Sequence, residues 1–286
     1  MGKVLSAFMK RVPKPVRSTL KPAYLATKCA YLDTLDLFDV STRRREMIPP
    51  RKLRFVGDGD FKAIGLEFRR IFVEVGGLKP DDRVLEIGSG IGRMAAPLAE
   101  YLSAKGGYQG LEIVKKGVEW CQDNITTRHP NLQFRHADVY NTSYNPQGII
   151  QAARYEFPYE DNYFDFVFLT SVFTHMFPAD MENYLNEISR VLRKSGTCLI
   201  TFFLLNGESE DGIRRGKSTQ DFTHEIDGCF TMDVRVPERG IAFSEAYVRG
   251  LFRRLNLSIE EPIRYGSRCG RERFVSYQDI VIARKE

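Results

Sequence analysis

Three glycines at alternate positions, Gly88, Gly90 and Gly92, follow a run of strand-favouring residues that carries one acid, Glu86, in the stretch VLEIGSGIGR. A strand that turns through glycines into a helix presents backbone N–H groups to a ligand. Gly88 and Gly90 remove side chains that would block the approach, and Ser89 between them adds a hydroxyl. Nucleoside triphosphates, dinucleotides and adenosylmethionine all use such loops. The triphosphate pattern GxxxxGK[ST] is absent. The dinucleotide pattern is GxGxxG with a ribose-binding acid about 20 residues on. Here the spacing is GxGxG, the next residue is Arg93, and an acid, Glu112, follows at the ribose distance. Glu86 separates the two remaining ligands. A carboxylate repels a pyrophosphate but welcomes the ammonium and sulfonium of adenosylmethionine.

The elements that must hold this loop can be read around it. Phe61, Ile64, Phe68, Ile71, Phe72 and Val75 predict an amphipathic helix ending at Gly76-Gly77. A strand is predicted over 83–87 and a helix over 92–103. The second strand, GYQGLEI, carries Glu112 near its end, and Val114, Val118, Cys121 and Ile125 mark the helix after it. The third strand is LQFRHADV, 132–139, and the fourth is FDFVFLTSVF, 164–173. A helix opens at Pro178 and closes at Lys194-Ser195-Gly196. The fifth strand, TCLITFFLL over 197–205, is apolar throughout, as a strand covered on both faces should be. After a polar segment, 206–242, come one more helix and two strands, near 257–264 and over 276–285, with no helix between them. The order predicts an α/β fold: a doubly wound, mostly parallel, Rossmann-like sheet of seven strands with an antiparallel last strand. Residues 1–50, basic and proline-broken, read as an N-terminal helical extension to a domain over 51–286, in which 206–242 is an insertion.

Composition narrows the class. The chain has 286 residues, 43% apolar and 28% charged, with a net charge of +5, too mild to signal nucleic-acid binding. Five cysteines without a CxxC pair, and only four histidines, argue against structural zinc and fit a reducing cytosol. No apolar run reaches the ~18 residues of a membrane span. The first 28 residues carry seven Lys/Arg and no acid, but no cleavable signal pattern. They are either a solvated extension or lid, or a basic surface that touches anionic lipid at the membrane periphery.

The ordered set VLEIGSGIGR, GLEI, HADV and FDFVFLTSVFTHM resembles the class I S-adenosylmethionine-dependent methyltransferases, well over about 60–206 and more loosely beyond. The resemblance implies a site. Backbone around Gly88, Ser89 and Gly90 would hold the methionine part, with Glu86 near its ammonium. Glu112 would accept from both ribose hydroxyls and Ile113 would cover the adenine. Asp138 would accept from the exocyclic amine, the Val139 N–H would meet a ring nitrogen, and Thr170 would sit beside the cofactor. Taken singly, Glu112 or Asp138 reads as a solvated strand-end charge; their recurrence at successive strand ends favours binding.

Transfer to a hydroxyl also calls for a base. His175, directly after the fourth strand, and His224, inside the insertion, are the candidates; His175 could instead pack or cap the next helix, and His224 could lie in an ordinary polar loop. Tyr140, Tyr144, Tyr155 and Tyr159 cluster between the third and fourth strands, either lining a sugar or aromatic site or packing a short helix. The [DN]PP[YF] and Pro-Cys motifs of nucleobase methylation are absent, as is any nucleic-acid module. What remains is O- or N-methylation of a small molecule, glycan or lipid-linked precursor. The competing readings are a nicotinamide-dependent Rossmann oxidoreductase, disfavoured by Glu86 and the glycine spacing, and a non-catalytic module that binds adenosylmethionine at a membrane or protein partner.

Overall fold

The computed structural model describes residue 27 and residues 30–37, 39–55, 57 and 59–286. The contacts divide the chain into two compact units, 1–61 and 62–286. Nearly all of the basic stretch 1–28, and with it the expected lipid contact, lies outside the described residues. The first unit runs past residue 50 because Arg51 is tied back into it. Its Nη1 lies 2.7 Å from Asp36 Oδ1 and its Nη2 2.7 Å from Asp39 Oδ2, while Asp36 also accepts from the Arg51 backbone N–H at 2.8 Å. Arg43, on the helix Val40–Arg45, completes this cluster.

The second unit is built on a seven-stranded sheet in the order β10-β11-β5-β4-β1-β2-β3. The strands are β1 Arg83–Ile87, β2 Gly107–Glu112, β3 Leu132–His136, β4 Phe164–Leu169, β5 Leu192–Phe202, β10 Leu257–Ile259 and β11 Asp279–Lys285. β1 pairs in parallel with β2 and β4, as do β2 with β3 and β4 with β5; β11 is antiparallel to both β5 and β10. Val84, Leu85, Phe166, Val167, Leu199 and Ile200 are wholly buried, as befits parallel strands covered on both faces. The principal helices are α1 Phe61–Arg70, α2 Ala95–Ala99, α3 Lys115–Cys121, α4 Pro178–Val191, α5 Gly207–Arg214 and α6 Glu245–Arg254. This is the doubly wound α/β architecture expected.

Several boundaries differ for local reasons. β5 starts at Leu192, directly after α4, and not at residue 197. A register shift against β4 and a left-handed Ser195 (φ 60°) absorb the residues expected to form a turn. α2 is short because Gly90 and Gly92 keep positive φ and delay the helix. β3 stops before Asp138, where the Val139 N–H turns back to the Ala137 carbonyl at 2.8 Å. β4 stops at Leu169, two residues ahead of Ser171 at φ 59°.

The insertion departs most from expectation. It holds α5, whose Asn206 cap forms a capping box with Ser209. It also contributes to a second sheet, β6-β9-β8-β7, of Leu204–Leu205, Ile241–Ser244, Cys229–Thr231 and His224–Ile226. Phe203, Leu205, Phe222 and Ala242 form a small core of their own here. Sparse apolar residues in short strands gave no periodic signal.

Candidate active site

The strand order reverses at β1, which lies between β4 and β2, so the loops after β1 and β4 leave in opposite directions. Such a crevice outside the carboxyl ends of the strands is where open α/β sheets bind ligands. Gly88, Gly90 and Gly92 line the β1 side with φ of 77°, 59° and 77°. These are left-handed conformations that side chains strain. Gly88 also faces the β4 loop: a Cβ there would lie 2.5 Å from Val172 Cγ2.

Two buried acids stand at this end of the sheet: Glu86 on β1, two residues before Gly88, and Glu112 at the end of β2. Glu112 Oε2 accepts from the Gly90 N–H at 2.6 Å and its Oε1 from the Val114 N–H at 2.7 Å. The second strand-end acid and the glycine loop are thus one constellation. Burial raises the Glu112 carboxyl to about 7, and the Val114, Gly90 and Ile113 backbone bonds oppose the rise. Glu86, on β1, is 2% exposed and accepts a hydrogen bond from the Tyr108 hydroxyl of β2. Burial pushes its carboxyl to about 8; the Tyr108 bond and the Arg93 charge lower it, while Glu112 raises it. Tyr108 answers how a strand interior tolerates an acid. Parallel register puts Val84 opposite Tyr108 and Glu86 opposite Gly110, so acid and phenol share one face.

Two features fit a cationic nucleoside. The Ser89 hydroxyl is buried in the loop with no hydrogen-bond partner. Both acids are held towards their neutral forms by burial, a cost that a bound cation offsets and a pyrophosphate would deepen.

The remaining expected residues are placed as follows. Ile113 is half-buried beside Glu112 and packs on the main core, and its carbonyl lies 3.1 Å from His136 Nε2. Asp138 is half-buried just past β3, and Asn145 Nδ2 lies 3.4 Å from its Oδ1. The Val139 side chain is buried and its N–H is already bonded to Ala137. Thr170 is half-buried immediately after β4. Its neighbour Ser171, a left-handed non-glycine residue, donates its N–H to Thr201 Oγ1 at 2.8 Å. Strained backbone of this kind gathers at functional sites.

His175 ends the 3-10 turn Phe173–His175, and its Nδ1 lies 2.7 Å from the Glu238 carbonyl oxygen. Glu238 belongs to the insertion, in the turn Pro237–Arg239, and its side chain accepts from Thr142 of the β3–β4 connection. The insertion therefore reaches over the β4 loop and fixes the imidazole. His224 lies apart from this cluster, exposed on the edge strand β7 opposite Thr231. The four tyrosines divide. Tyr155 and Tyr159 pack inward against Phe157, Tyr184 and Phe164, while Tyr140 and Tyr144 are 38% and 45% exposed. Tyr108, Ser171, Val172 and Glu238 were missed from sequence. The face shared by Glu86 and Tyr108 was recoverable from strand alternation; Glu238 carries no local signal.

Among the described residues, no group of three or more His, Cys, Asp or Glu is placed to hold a metal ion, and no helix is long and apolar enough to cross a membrane. Residues 85–200 match the family model for a methyltransferase domain. The fold is similar to that of the PH0226 protein from Pyrococcus horikoshii OT3, at 12% identity over 82% of this chain and 95% of that one, with a TM-score of 0.55. The chain is also similar, at a TM-score of 0.48, to a SAM-dependent methyltransferase from Methanosarcina mazei, with 19% identity over 74% of this chain and 96% of that one. A third similar structure is the 1,6-didemethyltoxoflavin-N1-methyltransferase of Burkholderia thailandensis with bound S-adenosylhomocysteine, at 17% identity over 96% and 90% of the two chains and a TM-score of 0.47. The family match and the sheet topology agree: residues 85–200 match a methyltransferase domain and lie in a doubly wound α/β sheet whose glycine loop is bonded by the buried Glu112.

Proposed function

We propose that the chain methylates a hydroxyl, or an amine, of a small molecule, glycan or lipid-linked precursor, with His175 taking the acceptor proton. One observation carries this reading: the imidazole is clamped at the carboxyl edge of the sheet by a backbone carbonyl. A carbonyl oxygen can only accept, so Nδ1 must carry the proton towards Glu238. In the neutral ring, Nε2 is then the basic nitrogen. The half-buried ring follows β4, and the same loop meets the glycine turn through Val172.

Residues 88–90 supply backbone and the Ser89 hydroxyl to the methionine end of the cofactor, and Glu86, two residues before them, balances its ammonium. Glu112 accepts from the ribose hydroxyls through lone pairs not used by Gly90 and Val114. Ile113, Asp138 and Val139 flank the adenine, with the Val139 N–H released from Ala137 if it is to donate. Thr170 borders the reacting end. The bound cofactor supplies an electrophilic methyl on a sulfonium; the chain aligns the acceptor with it and receives the proton. His224 stands as the second candidate base, but its exposed place on an edge strand gives it no orienting partner of the kind His175 has.

The test is an acceptor screen with methyl-labelled cofactor over polarity-fractionated extract, followed by variants. His175→Ala is expected to slow turnover on the identified acceptor by 10²-fold or more, within the range for general-base loss, and to leave S-adenosylhomocysteine affinity within twofold. His224→Ala should change neither. Full turnover in His175→Ala overturns the assignment.

A further inference from the structure

A guanidinium lies deep over the far half of the carboxyl edge. Arg268, in the turn Ser267–Cys269, is 2% exposed. No carboxylate pairs with it among the described residues: the nearby Asp279 accepts instead from the Leu204 N–H at 2.8 Å and the Gly266 N–H at 2.7 Å, with Arg271 Nη1 at 3.4 Å. Arg268 has only long bonds to neutral oxygens: Nη2 to the Leu204 carbonyl at 3.2 Å, and Nη1 to the Gln220 carbonyl at 3.3 Å and Ser218 Oγ at 3.4 Å. Its Nε–H has no partner, and neither has the buried Oε1 of Gln220. The rings of Phe203 and Phe222 lie 5.5 and 5.1 Å from the guanidinium carbon. Asp279 reaches Arg268 through space alone, and a buried cation with no hydrogen-bonded anion is only partly compensated. Two aromatic faces recover only part of the remainder.

The position is informative. Leu204 follows β5 and Asp279 begins β11, so Arg268 sits over the β5–β11 half of the edge, on the other side of the switch point from the glycine loop. A short path joins the two halves. The Arg268 N–H bonds the Tyr277 carbonyl, the next residue Gln278 bonds Ser171 Oγ at 3.1 Å, and Ser171 adjoins Thr170 and Val172. We infer that Arg268 anchors an anionic oxygen group, a carboxylate or a phosphate, on the methyl acceptor, with Phe203 and Phe222 as platforms for its ring or apolar body. This rests on the methyl-transfer reading of the carboxyl edge and names the acceptor's class: it is an acid. Segment 217–222 closes the site and must lift to admit it. That segment turns at Gly216 (φ 64°), and its Lys217 and Ser218 N–H groups bond the Gly212 carbonyl while the Thr219 N–H bonds the Arg268 carbonyl.

The experiment uses the full chain labelled with ¹⁵N-arginine and saturated with S-adenosylhomocysteine, at constant ionic strength. Inorganic phosphate and, separately, glucuronate are titrated while the Arg268 Nε–Hε resonance is followed. It is expected to move, saturably, with at least one of them, and the lower half-saturation identifies phosphate or carboxylate as the natural group. Arg268→Lys, which lacks the planar fork, should raise that half-saturation at least tenfold and leave S-adenosylhomocysteine affinity unchanged. If the variant does not fold, Gln220→Ala keeps the guanidinium, and the wild-type titration stands without either. A resonance that neither anion moves, or shifts confined to other arginines, overturns the inference and leaves Arg268 a core cation served by water. Failure of the wild-type chain to bind S-adenosylhomocysteine would instead count against the methyl-transfer reading.

Discussion

Replacing Glu86 by glutamine isolates what a buried acid costs this fold. The side chain is 2% exposed, and its Oε2 accepts from the Tyr108 hydroxyl. Burial carries the carboxyl from its ordinary 4.5 to about 8. The folded chain thus holds this proton more tightly than the unfolded chain does. The linked stability is fully present below about pH 4.5 and is lost as pH rises through about 8. At about 1.36 kcal/mol per pH unit, the span from 4.5 to about 8 is worth about 5 kcal/mol at most. That is a large share of the ~5–15 kcal/mol that holds a typical domain folded. Glutamine keeps an acceptor for Tyr108 and cannot ionise. Glu112 titrates in both proteins, so the difference reports Glu86 together with its charge coupling to Glu112. Urea unfolding of the ligand-free chain at pH 5.5, 7 and 8.5 should therefore show Glu86→Gln gaining on wild type as pH rises, by roughly 2–3 kcal/mol between the lowest and the highest pH. A stability difference that stays constant across the three pH values refutes the reasoning. Adenosylmethionine should shrink the gap, since a bound ammonium favours the ionised acid that only wild type can form.

Three further outcomes follow from the same site. Glu112→Gln should weaken S-adenosylhomocysteine binding at least tenfold by calorimetry while the chain stays folded, because one of the two acceptor oxygens is lost and the other is neutral; unchanged affinity removes Glu112 from the ribose role. Wild-type affinity for adenosylmethionine should rise between pH 6 and pH 8, as the two acids held near 7 and 8 give up their protons to a cationic ligand, with proton release visible as a buffer-dependent binding enthalpy. Gly88→Ala places a Cβ 2.5 Å from Val172 Cγ2 at a φ of 77°; it should cost about 1–3 kcal/mol, of which Val172→Ala in the same chain recovers the steric part but not the backbone part.

What could be read from the sequence divides along the switch point. On the cofactor side, chemistry sits at strand ends next to the elements that position it. The glycines that turn the chain also bare the backbone, and Glu112 follows its own strand by nothing at all, so period-two alternation and a glycine pattern locate both. On the acceptor side, the residues that meet are far apart in the chain. His175 is oriented by Glu238, and Arg268 lies among Leu204, Gln220 and Phe222. Such contacts depend on how the insertion folds, and its core of four residues is too small to leave a periodic imprint. The contrast has a physical cause. A glycine turn and a strand-end acid can grip a ligand through local turns alone. On the proposed reading, the acceptor meets residues from two distal segments, which the β5–β11 pairing helps to bring to one edge. The acceptor's identity should therefore be sought in 204–239 and 264–279, and a chimera exchanging these segments for those of another methyltransferase should keep S-adenosylhomocysteine affinity and lose the acceptor. Retained acceptor preference in such a chimera would place specificity in the β3–β4 tyrosines instead.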